Sequence, residues 1–124
     1  MEFFEAPAFT RYLDDYLTDD ELAAVQCLLM ANPEAGDVMP GTGGFRKLRW
    51  RDQRRGKGRR GGMRVIYYHL TSDFQIWLAA VYDKDEIDDL SPKDKKLLHA
   101  AISKELKQRE ERRGWRKKPP KRAE

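Results

Sequence analysis

Apolar residues recur every three or four positions in the first third of the chain and every second position near the middle, so the period itself divides the molecule. Phe9, Tyr12, Leu13, Tyr16 and Leu17 fall on one helical stripe, which predicts a helix over residues 7–17. Thr18 and Glu21 have the spacing of a capping box, and Asp19 and Asp20 favour the positive end of a helix dipole, so a second helix starts there. Leu22, Val25, Leu28 and Leu29 supply its apolar face. Asn32-Pro33 ends it, because the residue before proline avoids the helical region. Cys27, inside this run, is expected to pack as a small buried hydrophobe.

Residues 34–44 turn to Gly, Pro and small side chains and read as an irregular connector. The period then becomes two: Phe45, Lys47, Arg49 and Arg51 alternate with Arg46, Leu48 and Trp50, a strand with one strongly cationic face. A glycine-rich basic stretch follows as a long hairpin loop. Met63 to Leu70 reads as a second strand, Thr71-Ser72-Asp73 as a turn, and Phe74 to Tyr82 as a third strand, apolar enough to be central. Residues 3–6 would add a short edge strand. Ser91-Pro92 opens a last helix, with a buried stripe expected at Leu98, Ala101, Ile102 and Leu106. The predicted fold class is α+β: two N-terminal helices, a three- to four-stranded antiparallel sheet and a C-terminal helix, with the helices on one sheet face and the cations on the other. The domain should span residues 1–113, and residues 114–124, basic and with little to bury, should be a disordered tail.

A length of 124 residues suits one domain, and 37% charged residues is well above the usual share of about 25%. The net charge of +4 conceals a segregation: residues 1–44 sum to −8, 45–64 to +9, 65–103 to −3 and 104–124 to +6. Basic blocks that dense suit a polyphosphate, since each neutralised phosphate releases a condensed counterion. No run approaches the roughly 18 apolar residues of a membrane span, and Met1-Glu2-Phe3-Phe4-Glu5 does not open a signal peptide, so a cytoplasmic protein with no membrane partner is expected. One cysteine and two widely spaced histidines, His69 and His99, offer no metal-ligand set, and Asp83-Asp85-Glu86-Asp88-Asp89 lacks the glycine turn of a calcium loop. Neither metal nor cofactor is therefore expected. Gly41-Thr42-Gly43-Gly44 lacks the Lys-Ser or Lys-Thr of a phosphate loop, and no nucleophile elbow or dinucleotide fingerprint occurs.

Cationic residues remain as the chemical resource. Cleaving RNA by its own 2′-hydroxyl needs a base for that hydroxyl, cations for the pentacovalent phosphate and an acid for the 5′ oxygen. Clustered Lys and Arg can meet all three needs, because a lysine crowded by cations deprotonates more readily while arginine stays charged and grips phosphate through its fork.

The order Gly41-Thr42-Gly43-Gly44-Phe45-Arg46-Lys47-Leu48-Arg49, the glycine-rich basic loop, Gly62-Met63-Arg64-Val65-Ile66-Tyr67-Tyr68 and Val81-Tyr82-Asp83-Lys84-Asp85-Glu86 resembles the RelE/ParE superfamily of toxins. The nearest branch is the HigB-like RelE toxins of type II toxin–antitoxin systems, and the resemblance runs from about Phe9 to Leu106. It implies a RelE-like microbial RNase fold and a metal-independent endoribonuclease, an mRNA interferase that enters the 30S A site, cuts mRNA and inhibits translation. It also implies a cognate helix-turn-helix antitoxin, and operator DNA bound through that antitoxin. Matched residue by residue, the catalytic set is Lys47, Arg49, Arg64 and Lys84, with Lys47 or Lys84 moving protons and Arg64 clamping the transition state. Arg46, Arg51, Arg54, Arg55, Lys57, Arg59 and Arg60 would bind RNA backbone, and Tyr68 would stack on a base. The chain departs from the best-known RelE pattern at two points: Asp85 stands where an arginine follows the last-strand lysine, and Asp88-Asp89-Leu90 replace an expected tyrosine. The leaving-group acid is unassigned. A ParE-like gyrase inhibitor and a non-catalytic nucleic-acid-binding module are the alternatives.

Overall fold

The computed structural model of the chain describes residues 1–50, 62–87 and 89–117, with side chains up to residue 114. In chain order the elements are β1 (Glu2–Glu5), α1 (Pro7–Tyr16), α2 (Asp19–Ala31), β2 (Asp37–Val38), β3 (Arg46–Trp50), β4 (Met63–Leu70), a 3-10 turn (Thr71–Asp73), β5 (Gln75–Asp83) and α3 (Pro92–Lys117). Two of the three predicted helix starts follow from side-chain capping. At α2 the Thr18 hydroxyl accepts the Glu21 N–H at 3.2 Å and the Glu21 carboxylate accepts the Thr18 N–H at 3.1 Å, a reciprocal box that satisfies two orphan donors. At α3 the Ser91 hydroxyl accepts the Asp94 N–H at 3.1 Å.

The sheet corrects the expected three- to four-stranded antiparallel arrangement. Among the described residues it has five strands in the order β1-β5-β4-β3-β2, and β1 runs parallel to β5, with Glu2 beside Gln75 and Glu5 beside Leu78. That pairing joins opposite halves of the chain, so no local period announces it. β2 is a two-residue edge strand inside the predicted irregular connector, where no alternation could develop. The centre is β4 rather than the third predicted strand, although β5 is also interior.

Helices cover both faces, not one. On the first, Phe9, Leu17, Val25 and Leu29 of the helical hairpin pack on Leu48, Met63, Val65, Tyr67, Ile76, Leu78 and Val81. On the second, Ile102 of α3, with half-buried Leu98, packs on Phe45, Ile66, Leu70, Ala79 and Tyr82. The near-continuous burial of β4 is the consequence, since a strand covered on both sides needs apolar residues at every position. The α3 stripe is narrower than expected, because Ala101 and Leu106 are exposed. α3 also runs past Arg113 to Lys117, beyond the expected tail boundary. Cys27 is exposed, which corrects its assignment to the core: Leu22, Val25 and Leu29 face inward, and Cys27 lies on the opposite side of the turn.

The connector from α2 to β3 is held by side chains. The Tyr67 hydroxyl donates to the Pro33 carbonyl at 2.7 Å and accepts the Gly36 N–H at 2.9 Å, while Arg46 donates to the Gly36 carbonyl at 2.8 Å. Gly43 sits at φ +78, and a Cβ there would meet the His99 ring at 2.7 Å and Ile102 at 3.2 Å, so a missing side chain lets α3 close on the sheet.

Phe74, after the 3-10 turn, has a left-handed backbone (φ 53) and is 71% exposed. The conformation is strained for any residue with a Cβ and little burial compensates it. Phe74→Gly is therefore expected to stabilise the fold by about 0.5–1 kcal/mol, read as a raised denaturation midpoint. A lowered midpoint would mean that the ring has a stabilising contact.

Candidate functional site

Strand register assembles the site. Antiparallel pairing sets Arg49 of β3 opposite Arg64 of β4, and Arg64 opposite Tyr82 of β5, so the three share the face that α3 covers. Lys47 pairs with Ile66, two residues from Arg64 on that same face, a diagonal of about 7–8 Å. Like charges directly opposite destabilise a sheet, and Arg49 facing Arg64 is such a pair. Lys84 follows β5 directly, its N–H donating to the Gly62 carbonyl at 3.3 Å, so it lies at the end of the sheet that carries Arg64 and Arg49.

These four residues differ in surroundings. Arg64 is only 6% exposed and donates to the Met63 carbonyl at 3.3 Å, whereas Arg49 and Lys84 are open to solvent. Lys47 is half-buried, with its ammonium 3.8 Å from Asp89. Asp89 itself stands in the acidic segment between β5 and α3. Burial raises its pKa, but the Leu90 N–H, the Lys95 ammonium at 3.2 Å and the charge of Lys47 outweigh that and hold it below the usual carboxylate range. The segment is fixed further along by Tyr16, whose hydroxyl donates to Glu86 at 3.0 Å, and by the Asp85 N–H donating to Asp83 at 2.9 Å.

Other expected site residues lie elsewhere. Arg46 points to the opposite face, with its guanidinium held by the connector carbonyls of Gly36 and Glu34. Tyr68 stands four residues along β4 from Arg64, roughly 13 Å at strand rise, its ring edge-on to Phe45 at 5.2 Å. Arg51, Arg54, Arg55, Lys57, Arg59 and Arg60 lie outside the described residues. The cations are thus not on a bare sheet face, as expected, but on the α3 side.

Sequence reasoning missed Tyr82, Asp89 and Lys95. Tyr82 is 3% exposed, and its hydroxyl has no hydrogen-bond partner among the described residues. Burial pushes its phenol pKa up, Asp89 pushes it further up and Arg64 opposes. A partnerless buried hydroxyl costs stability, so Tyr82→Phe is expected to raise stability by roughly 1 kcal/mol, a few degrees in melting temperature. A lower melting temperature would mean the hydroxyl is satisfied inside the protein.

A second polar cluster lies at the opposite end of β5. Arg109 donates to Asp73 at 2.8 Å, to Glu105 at 2.7 Å and to Gln75, and its guanidinium lies 5.8 Å from the Trp77 ring centre. These bonds pin the exposed half of α3 to the sheet. Among the described residues no group of three His, Cys, Asp or Glu side chains is placed to hold a metal ion, and no helix is long and apolar enough to cross a membrane. No protein-family model matches the chain.

Proposed function

We propose that the protein is a toxin of a type II toxin–antitoxin system that acts in the cytoplasm as a metal-independent, ribosome-dependent mRNA endoribonuclease. The observation that carries this reading is the placement of Lys47, Arg49 and Arg64 on one face by strand pairing, with Lys84 at the same end. In the proposed reaction Lys47 or Lys84 is the base that takes the 2′-hydroxyl proton. The 2′ oxygen bonds to phosphorus, the P–O5′ bond breaks, the departing 5′ oxygen takes a proton from water, and a 2′,3′-cyclic phosphate and a 5′-hydroxyl result. Arg64 and Arg49 stabilise the charge that builds on the non-bridging oxygens, where preformed donors act most strongly. Arg64 suits the clamp because its surroundings hold its position, and ordered donors lose little entropy when the transition state forms. The reading includes a helix-turn-helix antitoxin as the silencing partner, laid across the cationic face.

The test is translation of one mRNA in a purified bacterial system, with new RNA ends mapped by primer extension for wild type and Arg64→Ala. Ribosome-dependent cuts within codons that vanish in the variant are expected. Intact mRNA beside the wild-type protein would overturn the reading, leaving gyrase inhibition or passive nucleic-acid binding, which DNA supercoiling and gel-shift assays separate.

A further inference from the structure

We infer that Lys47 and Lys95 form a phosphate subsite for an RNA chain, and that the Asp89 carboxylate occupies it in the free protein as an internal stand-in for the phosphodiester. The inference rests on the proposal that this face binds RNA, leaves the base role there to Lys84, and extends the face to α3, which no resemblance assigned a role.

Three observations carry it. The Asp89 carboxylate is held between two ammonium groups from different elements, Lys47 of β3 at 3.8 Å and Lys95 of α3 at 3.2 Å. That is the arrangement that would hold a phosphate oxygen pair. Second, the first five residues of α3 carry three lysines, Lys93, Lys95 and Lys96, against one acid, Asp94, although the positive end of a helix dipole disfavours cations. The lysines outnumber that acid three to one, so an anion from outside is the simplest reason for them. Third, the internal pair is weak enough to be displaced: Asp89 is 44% exposed and Lys47 and Lys95 are 24% and 26% exposed, and ion pairs at such sites are well screened. A polyanion adds counterion release that a lone carboxylate lacks. The contact joins β3 to α3 beside Arg64, so a chain seated there would pass from the α3 lysines onto the proposed cleavage residues.

The experiment measures binding by fluorescence anisotropy with a 2′-O-methylated single-stranded oligonucleotide, which cannot be cut through its 2′ oxygen. Asp89→Asn is expected to tighten binding roughly three- to tenfold at low salt, by removing the competitor. Lys95→Gln is expected to weaken it, and to flatten the dependence of log affinity on log salt by about 0.7, the share of one phosphate contact on a single strand. In the double variant the gain from Asp89→Asn should shrink. Unchanged or weaker binding in Asp89→Asn, or an unchanged salt slope in Lys95→Gln, would overturn the inference. Both side chains are partly open to solvent, and thermal melting checks that each variant folds. The cleavage assay is separate: tightened binding without mRNA cutting would sink the endonuclease reading and leave the subsite standing, whereas cutting with no effect of Asp89 or Lys95 would do the reverse.

Discussion

Tyr67→Ala is expected to cost about 3–5 kcal/mol, a large part of the 5–15 kcal/mol that typically separates folded from unfolded domains. Tyr67 is fully buried at the centre of the sheet, packed under the helical hairpin. Removing its ring leaves a cavity that close-packed neighbours fill only in part. The hydroxyl adds a second loss, because it satisfies both the Pro33 carbonyl and the Gly36 N–H. Tyr67→Phe separates the two effects. It keeps the ring and strands one buried and one half-buried polar group, so about 1–3 kcal/mol should be lost. Urea titration of both variants checks this. An unchanged midpoint for Tyr67→Phe would show that the connector does not depend on the phenol, and that Arg46 alone holds it.

Arg64→Lys should lower ribosome-dependent cleavage roughly a hundredfold while the protein stays folded, because removing one preorganised donor to a developing oxyanion commonly has that effect. Lysine keeps the charge and most of the aliphatic stem, but replaces a planar fork by a single ammonium that cannot grip two phosphate oxygens in fixed geometry. The burial of Arg64 sharpens the contrast, since its packed stem leaves the shorter side chain little room to adjust. Time courses of primer-extension products, normalised to ribosome concentration, give the rate. Cutting at the wild-type rate would remove Arg64 from the transition state and shift attention to Arg49.

What could be read from the sequence was what local chemistry determines. The Thr18–Glu21 box, the Ser91-Pro92 start and the alternation of β3 each depend on residues a few positions apart, and all appear where expected. Contacts between distant segments were harder. The parallel β1–β5 pair has no sequence signature, and α3 carries too few apolar residues to announce that it packs on the second sheet face. Cys27 was misplaced because α2 is apolar over most of its surface, so its inward stripe is poorly marked. In the candidate site, alternation correctly placed Lys47 with Arg49 on one face, but the alignment of Arg49 with Arg64 and Tyr82 is a matter of register, which the sequence between the two strands does not specify. Asp89 and Lys95 were invisible for the same reason: they meet Lys47 through the fold, not through spacing.

The two borders of the sheet bear on how the molecule behaves when crowded. β2 offers a neighbouring chain just two residues, one of them Asp37, and β1 offers four, with Glu2 and Glu5 at its ends and both exposed. Short borders carrying acids make poor templates for strand addition, since an incoming strand gains few backbone bonds and meets repelling charge if it has the same sequence. A sheet so apolar along β4 thus has, at both its borders, poor templates for edge-to-edge pairing with copies of itself.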